Sequence, residues 1–242
     1  MKILLTDSYD EMSRRAAKIF AAQLTLKPDS VLGLATGSTP LGLYAELARL
    51  CAAGELNFSK ARSVNLDEYV GLSASHPQSY RHFMDENLFS RVNIARENTY
   101  VPDGTAKDLA AACSGYDKRI RELGGIDLQL LGLGHDGHIG FNEPGDCFVP
   151  GTHVVTLTEQ TIDANARFFA AREEVPRQAV TMGIGQILQA RRIVLLVSGA
   201  DKAEILYKAV RGPVTPRVPA SVLQLHADVT LLGDRAALEK LI

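Results

Sequence analysis

Two periods of apolar residues alternate along this chain. Short apolar runs recur at 2–5, 31–35, 63–66, 128–133, 193–197 and 229–232, each the length of a buried strand. Between them apolar residues return at helical spacing. Met12, Ala16, Ile19 and Phe20 form one such stripe, and Leu43, Tyr44, Leu47, Leu50 and Cys51 form another. Ser8 with Glu11 reads as a capping box ahead of the first helix, and Pro40 suits the first position of the second. Further helices are predicted over 80–89, over 107–123 before Gly124-Gly125, over 161–171 and from Lys202 to about Val210. Residues 153–157 alternate like one more short strand. Strands that alternate with helices predict a mostly parallel sheet covered on both faces. No repeat or linker interrupts the pattern, so 1–242 reads as one domain. With 46% hydrophobic and 22% charged residues the chain can bury a full core.

Polar chemistry gathers where the strands end. The ends at 35, 66, 133 and 197 carry polar, glycine-bearing or acidic loops, and in a parallel sheet such ends share one ligand-binding edge. The stretch 131–145, LGLGHDGHIGFNEPG, sets Asp136, His138 and Glu143 among five glycines. An imidazole flanked by two carboxylates suits proton transfer near neutral pH, although loop residues that satisfy turn backbone would read alike. Asp67 ends a strand where a general base can stand, or where an aspartate caps a turn. Thr36, Gly37, Ser38 and Thr39 lie between a strand and a helix, the setting of an anion site and also of an ordinary capped turn. Ser198-Gly199-Ala200-Asp201-Lys202 repeats that arrangement. Lys202 would then oppose the dipole of its helix unless an anion compensates it. Arg167, in an Ala- and Phe-rich helix, reads either as an anion ligand or as a snorkelling surface arginine.

Several chemistries find no support. There is no GxxxxGK[ST] phosphate loop and no GxSxG nucleophile elbow. Residues 132–137 match GxGxxG, but Asp136 would repel a pyrophosphate and 139–144 opens a helix poorly. His135, His138 and Glu143 lack further ligand spacing, so no metal is expected. A net charge of -2 without a basic run argues against nucleic acid as a partner. No apolar run approaches the ~18 residues of a membrane span. The N-terminus is too short of apolar residues for a secretory leader. Cys51, Cys113 and Cys147, odd in number and far apart, read as reduced thiols of a cytoplasmic protein.

Seven segments carry a resemblance: ATGSTPLGLY (35–44), NLDEYVGL (65–72), SYRHFM (79–84), LLGLGHDGHIGFNEPG (130–145), ARFF (166–169), AVTMGIGQIL (179–188) and SVLQLH (221–226). On these the chain resembles the glucosamine-6-phosphate deaminase (isomerase) family over nearly its whole length. The resemblance implies a modified Rossmann-like α/β fold. It implies aldose–ketose isomerisation with deamination, from glucosamine 6-phosphate to fructose 6-phosphate and ammonium, without a cofactor. Asp67 then matches the base that moves a proton between carbons 2 and 1, and His138 the group that handles the ring-opening proton. Asp136 and Glu143 match the carboxylates that orient it, and Thr36, Gly37, Ser38, Thr39, Arg167 and Lys202 match the phosphate site. The long members are hexamers activated by N-acetylglucosamine 6-phosphate through a serine and basic residues beyond the Asn-Glu-Pro run. Here those stretches read Gly145-Asp146-Cys147 and His153-Val154-Val155. A monomer or small homo-oligomer without that activation is therefore expected, with about 146–174 as a lid over the sugar. Two rivals are a 6-phosphogluconolactonase, where FNEPG and NLDEYVGL are not expected, and a sugar-phosphate sensor, which should carry a helix-turn-helix.

Overall fold

The computed structural model describes residues 1–242. Its elements follow the alternation: β1 (Lys2–Thr6), α1 (Tyr9–Leu26), β2 (Val31–Leu34), α2 (Leu41–Ala52), β3 (Arg62–Asn65), β4 (Asp67–Tyr69), α3 (Tyr80–Asn87), β5 (Thr99–Tyr100), α4 (Leu109–Glu122) and β6 (Leu128–Leu131). The second half holds β7 (His153–Thr156), α5 (Glu159–Ala166), β8 (Gln178–Thr181), α6 (Ile184–Leu188), β9 (Ile193–Val197), α7 (Ala203–Arg211), β10 (Val229–Asp234) and α8 (Arg235–Leu238). No helix is long and apolar enough to cross a membrane.

Seven strands form the central sheet in the order β1-β10-β9-β6-β2-β3-β5, and every pair in it is parallel. Every residue of β2, β6 and β9 is buried, so both faces of the sheet are covered. Close packing fixes composition even in the middle strands. A Cβ on Gly33 of β2 would fall 2.1 Å from Oε1 of Gln129, the buried side chain of its register partner in β6. Phe20, Tyr44 and Leu47, all fully buried, knit the helices to this sheet in one large apolar cluster.

The strand order carries the functional point. From β2 the chain builds outward through β3 to β5, then returns to lay β6 on the other side of β2 and continues through β9 to β10. The order reverses between β2 and β6, and loops leaving adjacent strands there diverge to open a crevice. The four strand ends singled out in the sequence belong to β3, β2, β6 and β9, which are consecutive neighbours in the sheet.

A second sheet of three antiparallel strands, β4-β8-β7, stands beside the first. The pattern predicts β7, expected over 153–157, but not its two partners: β4 is three residues long, and β8 offers one short run after a proline. Asp67, expected at the end of a strand, instead begins β4 after the backbone leaves β3 at Asn65. The helix expected over 161–171 runs from Glu159 to Ala166, so Arg167 is its C-cap and not an interior residue. Lys202 likewise ends a 3-10 turn and caps α7, rather than sitting inside its first turn.

Candidate active site

One cleft opens over the β2/β6 crevice. Its walls include Thr36, Gly37, Ser38 and Thr39 after β2, Asp67 from β4, and Asp136 and His138 from the loop after β6. Arg167 follows α5 and Lys202 precedes α7 on the same cleft. Glu143 is not part of the wall. It stands behind His138, near Thr158.

The 36–39 loop is framed by two tyrosines, Tyr44, which the sequence offers only as part of a helical apolar stripe, and Tyr9, which it does not mark. Tyr44, buried in α2, donates its hydroxyl to the carbonyl of Ala35 at 2.5 Å. The Tyr9 hydroxyl lies 3.1 Å from the carbonyls of Ser38 and Thr39 and accepts the N–H of Gly42 at 2.8 Å. With these carbonyls held elsewhere, the loop turns at Gly37, where φ is +97°, a conformation that favours glycine. The peptide N–H groups of 37–39, ahead of α2, have no partner in the protein and are free to meet an anion.

Arg167 and Lys202 add positive charge to the same wall. Burial depresses the Lys202 ammonium to about 8; Asp201 and Asp136 oppose the depression, and the guanidinium of Arg167 adds a smaller share to it. Its Nζ donates to the carbonyl of Leu133 at 2.9 Å. Two cations facing one cleft repel each other until an anion neutralises them. The neighbouring Ser198-Gly199 turn is a different matter. Asp234 accepts from the Ser198 hydroxyl at 2.5 Å and from the Gly199 N–H at 3.1 Å. This turn is therefore already occupied by a carboxylate, and only Lys202 of the second anion-binding segment faces the cleft.

Asp67 and Glu68 divide two tasks that look interchangeable in sequence. Glu68 is buried and accepts the backbone N–H groups of Tyr69, Tyr80 and Arg81 and the Ser79 hydroxyl, so it caps α3. Asp67 projects into the cleft with no protein hydrogen bond on its carboxylate. Burial, reinforced by the charge of Glu68, pushes its carboxyl up to about 7, while His138 acts in the other direction. A carboxylate held there is an effective base near neutral pH.

His138 is the opposite case. Burial would depress its imidazole, but Asp136 and Glu143 outweigh that and raise it to about 9. Nδ1 lies 2.7 Å from Asp136 Oδ1 and 3.6 Å from Glu143 Oε2. Neither contact is a hydrogen bond of Nδ1, the one to Glu143 being too long, so both are ion pairs. Asp136 is buried enough to raise its carboxyl, yet the imidazole holds it well below the usual range. The ring packs flat on Gly134, where a Cβ would come within 2.4 Å of Cε1 and Nε2. Glycine at 134 is thus a condition for the imidazole's position. With both acids on Nδ1, Nε2 is the nitrogen left for a substrate.

The ligand atoms of Asp136, His138 and Glu143 lie within 4.8 Å of one another, the grouping of a metal donor set. The spacing argues otherwise. Two ligands of a tetrahedral zinc, each about 2.0–2.1 Å from it, stand ~3.3 Å apart. The 2.7 Å between His138 Nδ1 and Asp136 Oδ1 is instead the spacing of two groups in direct contact. His135, the other imidazole of the loop, is half exposed and pairs with Asp201 at 2.7 Å.

The lid predicted for 146–174 contains β7 and α5, and α5 presents Gln160, Thr161, Ala164 and Asn165 to the cleft. The signal was legible in retrospect, since these positions share one helical face. Leu157 and Ile162 of this segment form a separate apolar cluster with Tyr69, Phe141 and Val175. The rings of Tyr80 and Phe141, stacked with centroids 5.9 Å apart, line the cleft beside His138.

The model of the family described as glucosamine-6-phosphate isomerases/6-phosphogluconolactonase matches residues 6–232. A curated relative from Lachnoclostridium phytofermentans, named glucosamine-6-phosphate deaminase, is 58% identical over 232 residues, covering 96% of this chain and 98% of its own. A solved structure described as a monomeric glucosamine-6-phosphate deaminase superposes with a TM-score of 0.97 at 48% identity, over 99% of both chains. The 6-phosphogluconolactonase of Trypanosoma brucei aligns with a TM-score of 0.77 at 21% identity, a likeness of fold. By sequence, fold and the length over which both agree, the chain belongs to the family of glucosamine-6-phosphate isomerases and 6-phosphogluconolactonases.

Proposed function

We propose that this chain converts glucosamine 6-phosphate and water to fructose 6-phosphate and ammonium. The observation that carries the reading is the cleft itself. It sets an unpaired buried carboxylate, Asp67, and an imidazolium, His138, beside a cationic, N–H-lined anion site at the switch point of the sheet. The names of the relatives, at 58% and 48% identity over nearly the full chain, point the same way.

The phosphate is taken by the N–H groups of 36–39 with Lys202 and Arg167. It is remote from the reacting carbons, so its binding energy can be used to orient them. His138, held protonated by Asp136 and Glu143, donates from Nε2 to the ring oxygen as the bond from carbon 1 to that oxygen breaks. The freed imidazole takes the proton of the carbon 1 hydroxyl, leaving the aldehyde, and returns it to the same oxygen in the next step. Asp67 then removes the proton from carbon 2, acidified by the adjacent carbonyl, and returns it to carbon 1. The nitrogen on carbon 2 becomes an imine. Water adds there, the carbon–nitrogen bond breaks, and ammonium leaves a ketone. These steps need no cofactor. The protein acts as a monomer, as the description of its structural relative says of that protein.

Replacing Asp67 tests the assignment. D67N should abolish ammonium release while binding fructose 6-phosphate within a few-fold of the parent affinity. The substitution also removes a carboxylate that folding penalises. The unfolded chain releases this proton near 3.8 and the folded one near 7. Its contribution to stability is therefore present below 3.8 and lost as pH rises through 7. At about pH 8, D67N should be more stable than the parent by on the order of 1–3 kcal/mol. Turnover retained by D67N would remove Asp67 from the mechanism.

A further inference from the structure

The segment 179–188, AVTMGIGQIL, is absorbed neither by the phosphate site nor by the acid and base. It supplies β8, the middle strand of the small sheet. Thr181 of β8 pairs with Asp67 on one side and His153 on the other. Directly opposed residues of antiparallel strands present their side chains on the same face, so the Thr181 hydroxyl and the Asp67 carboxylate are cross-strand neighbours.

That hydroxyl is fully buried and is used in one place. Its Oγ1 accepts the backbone N–H of Phe141 at 3.0 Å, forty residues away and three past His138. Gly140 shares the spot. A Cβ on it would lie 3.0 Å from Thr181 Oγ1 and 3.5 Å from Asp67 Oδ2. The next residue repeats the tie. The Met182 N–H donates to the carbonyl of Leu66 at 2.7 Å, and its carbonyl accepts Asn142 Nδ2 at 2.9 Å. Asn142 Nδ2 also donates to the carbonyl of Ile139 at 2.8 Å, which closes the turn on itself. Residues 181 and 182 thus grip 66–67 through backbone pairing and 141–142 through one hydroxyl and one amide.

We propose that Thr181 is a positioning residue for the proton transfer: its buried hydroxyl fixes the loop bearing His138 against the strand bearing Asp67, and so sets the separation of base and imidazole. The inference rests on the deaminase reading of the site. Without the hydroxyl, the Phe141 N–H is buried and unsatisfied and the loop must shift to recover a partner. A displacement of about 1 Å between reacting groups can cost on the order of 100-fold in rate. The phosphate site lies on other loops and should be indifferent.

The test compares T181V, T181S and the parent in ammonium release from glucosamine 6-phosphate. T181V keeps the shape and removes the acceptor. It should lower kcat by about 10- to 100-fold and leave KM within about twofold. T181S keeps the acceptor and should remain within about threefold of the parent. In deuterium oxide, T181V should also incorporate more deuterium at carbon 1 of fructose 6-phosphate, because a misaligned base exchanges its proton with solvent before returning it. T181A is the substitute should T181V not fold. Parent-like kcat in a folded T181V or T181A would overturn the proposal, as would a T181S as slow as T181V. An inactive parent would overturn the activity beneath it, a result distinct from either.

Discussion

Two adjacent acids decide the chemistry at the scale of the residue. In NLDEYVGL either Asp67 or Glu68 could cap the helix, and spacing does not choose between them. The structure gives Glu68 four donors and leaves Asp67 none, so the same residue type pair yields one structural anion and one reactive one. Asp67 titrates near 7 and His138 near 9, in opposite directions from their ordinary values. The sign of the pH dependence follows. Below about 7 Asp67 holds its proton and cannot act as base, and above about 9 His138 has lost the one it donates. The kcat/KM for deamination should rise through the first value and fall through the second. A profile that continues upward past the second would remove His138 as the acid. Stability carries the same signature for the imidazole. Its contribution is present below 6.5 and lost as pH rises through about 9.

At the scale of the element, the legible parts of the fold were those whose hydrophobic period is long enough to register. β9 is five apolar residues in a row and was expected with its observed bounds, and α1 shows its stripe over eighteen residues. β4 and β8 escaped because three or four residues hold too few periods, and because their pairing is a long-range fact. The loop 131–145 was conspicuous for its composition, but its partner in space, Thr181, was not, since a threonine in a short apolar run has no local signature. Helix ends were the other blind spot. α5 stops at Ala166 although Ala and Phe continue past it, and this places Arg167 at the helix end beside the cleft. The N-terminus of α3 is where local design meets the site. Ser79 accepts from the N–H groups of Arg81 and His82 and donates to Glu68 at 2.7 Å, and the helix it starts carries Tyr80 into the cleft. S79A should cost about 1–2 kcal/mol of stability, read from a denaturant midpoint. No change would mean that Glu68 alone suffices as the cap.

The whole molecule is a sheet whose strand order reverses once, and the reversal explains why segments as distant in sequence as Thr36 and Lys202 share one cleft. Anion binding is a property of this scale, since its donors come from β2, the end of α5 and the turn before α7. Fructose 6-phosphate at about 100 times its Kd should stabilise the parent by about 2.7 kcal/mol. K202A should lose most of that ligand-induced stabilisation while keeping a parent-like melting temperature in the absence of sugar phosphate. Equal stabilisation of both would take Lys202 out of the phosphate site.

The most direct measurement is ammonium release from glucosamine 6-phosphate by the purified protein, with EDTA present and no cofactor added. Ammonium and fructose 6-phosphate formed in equal amounts is the predicted result. A folded protein that binds the sugar phosphate and releases no ammonium, or one that releases it only when metal is restored, would contradict the account.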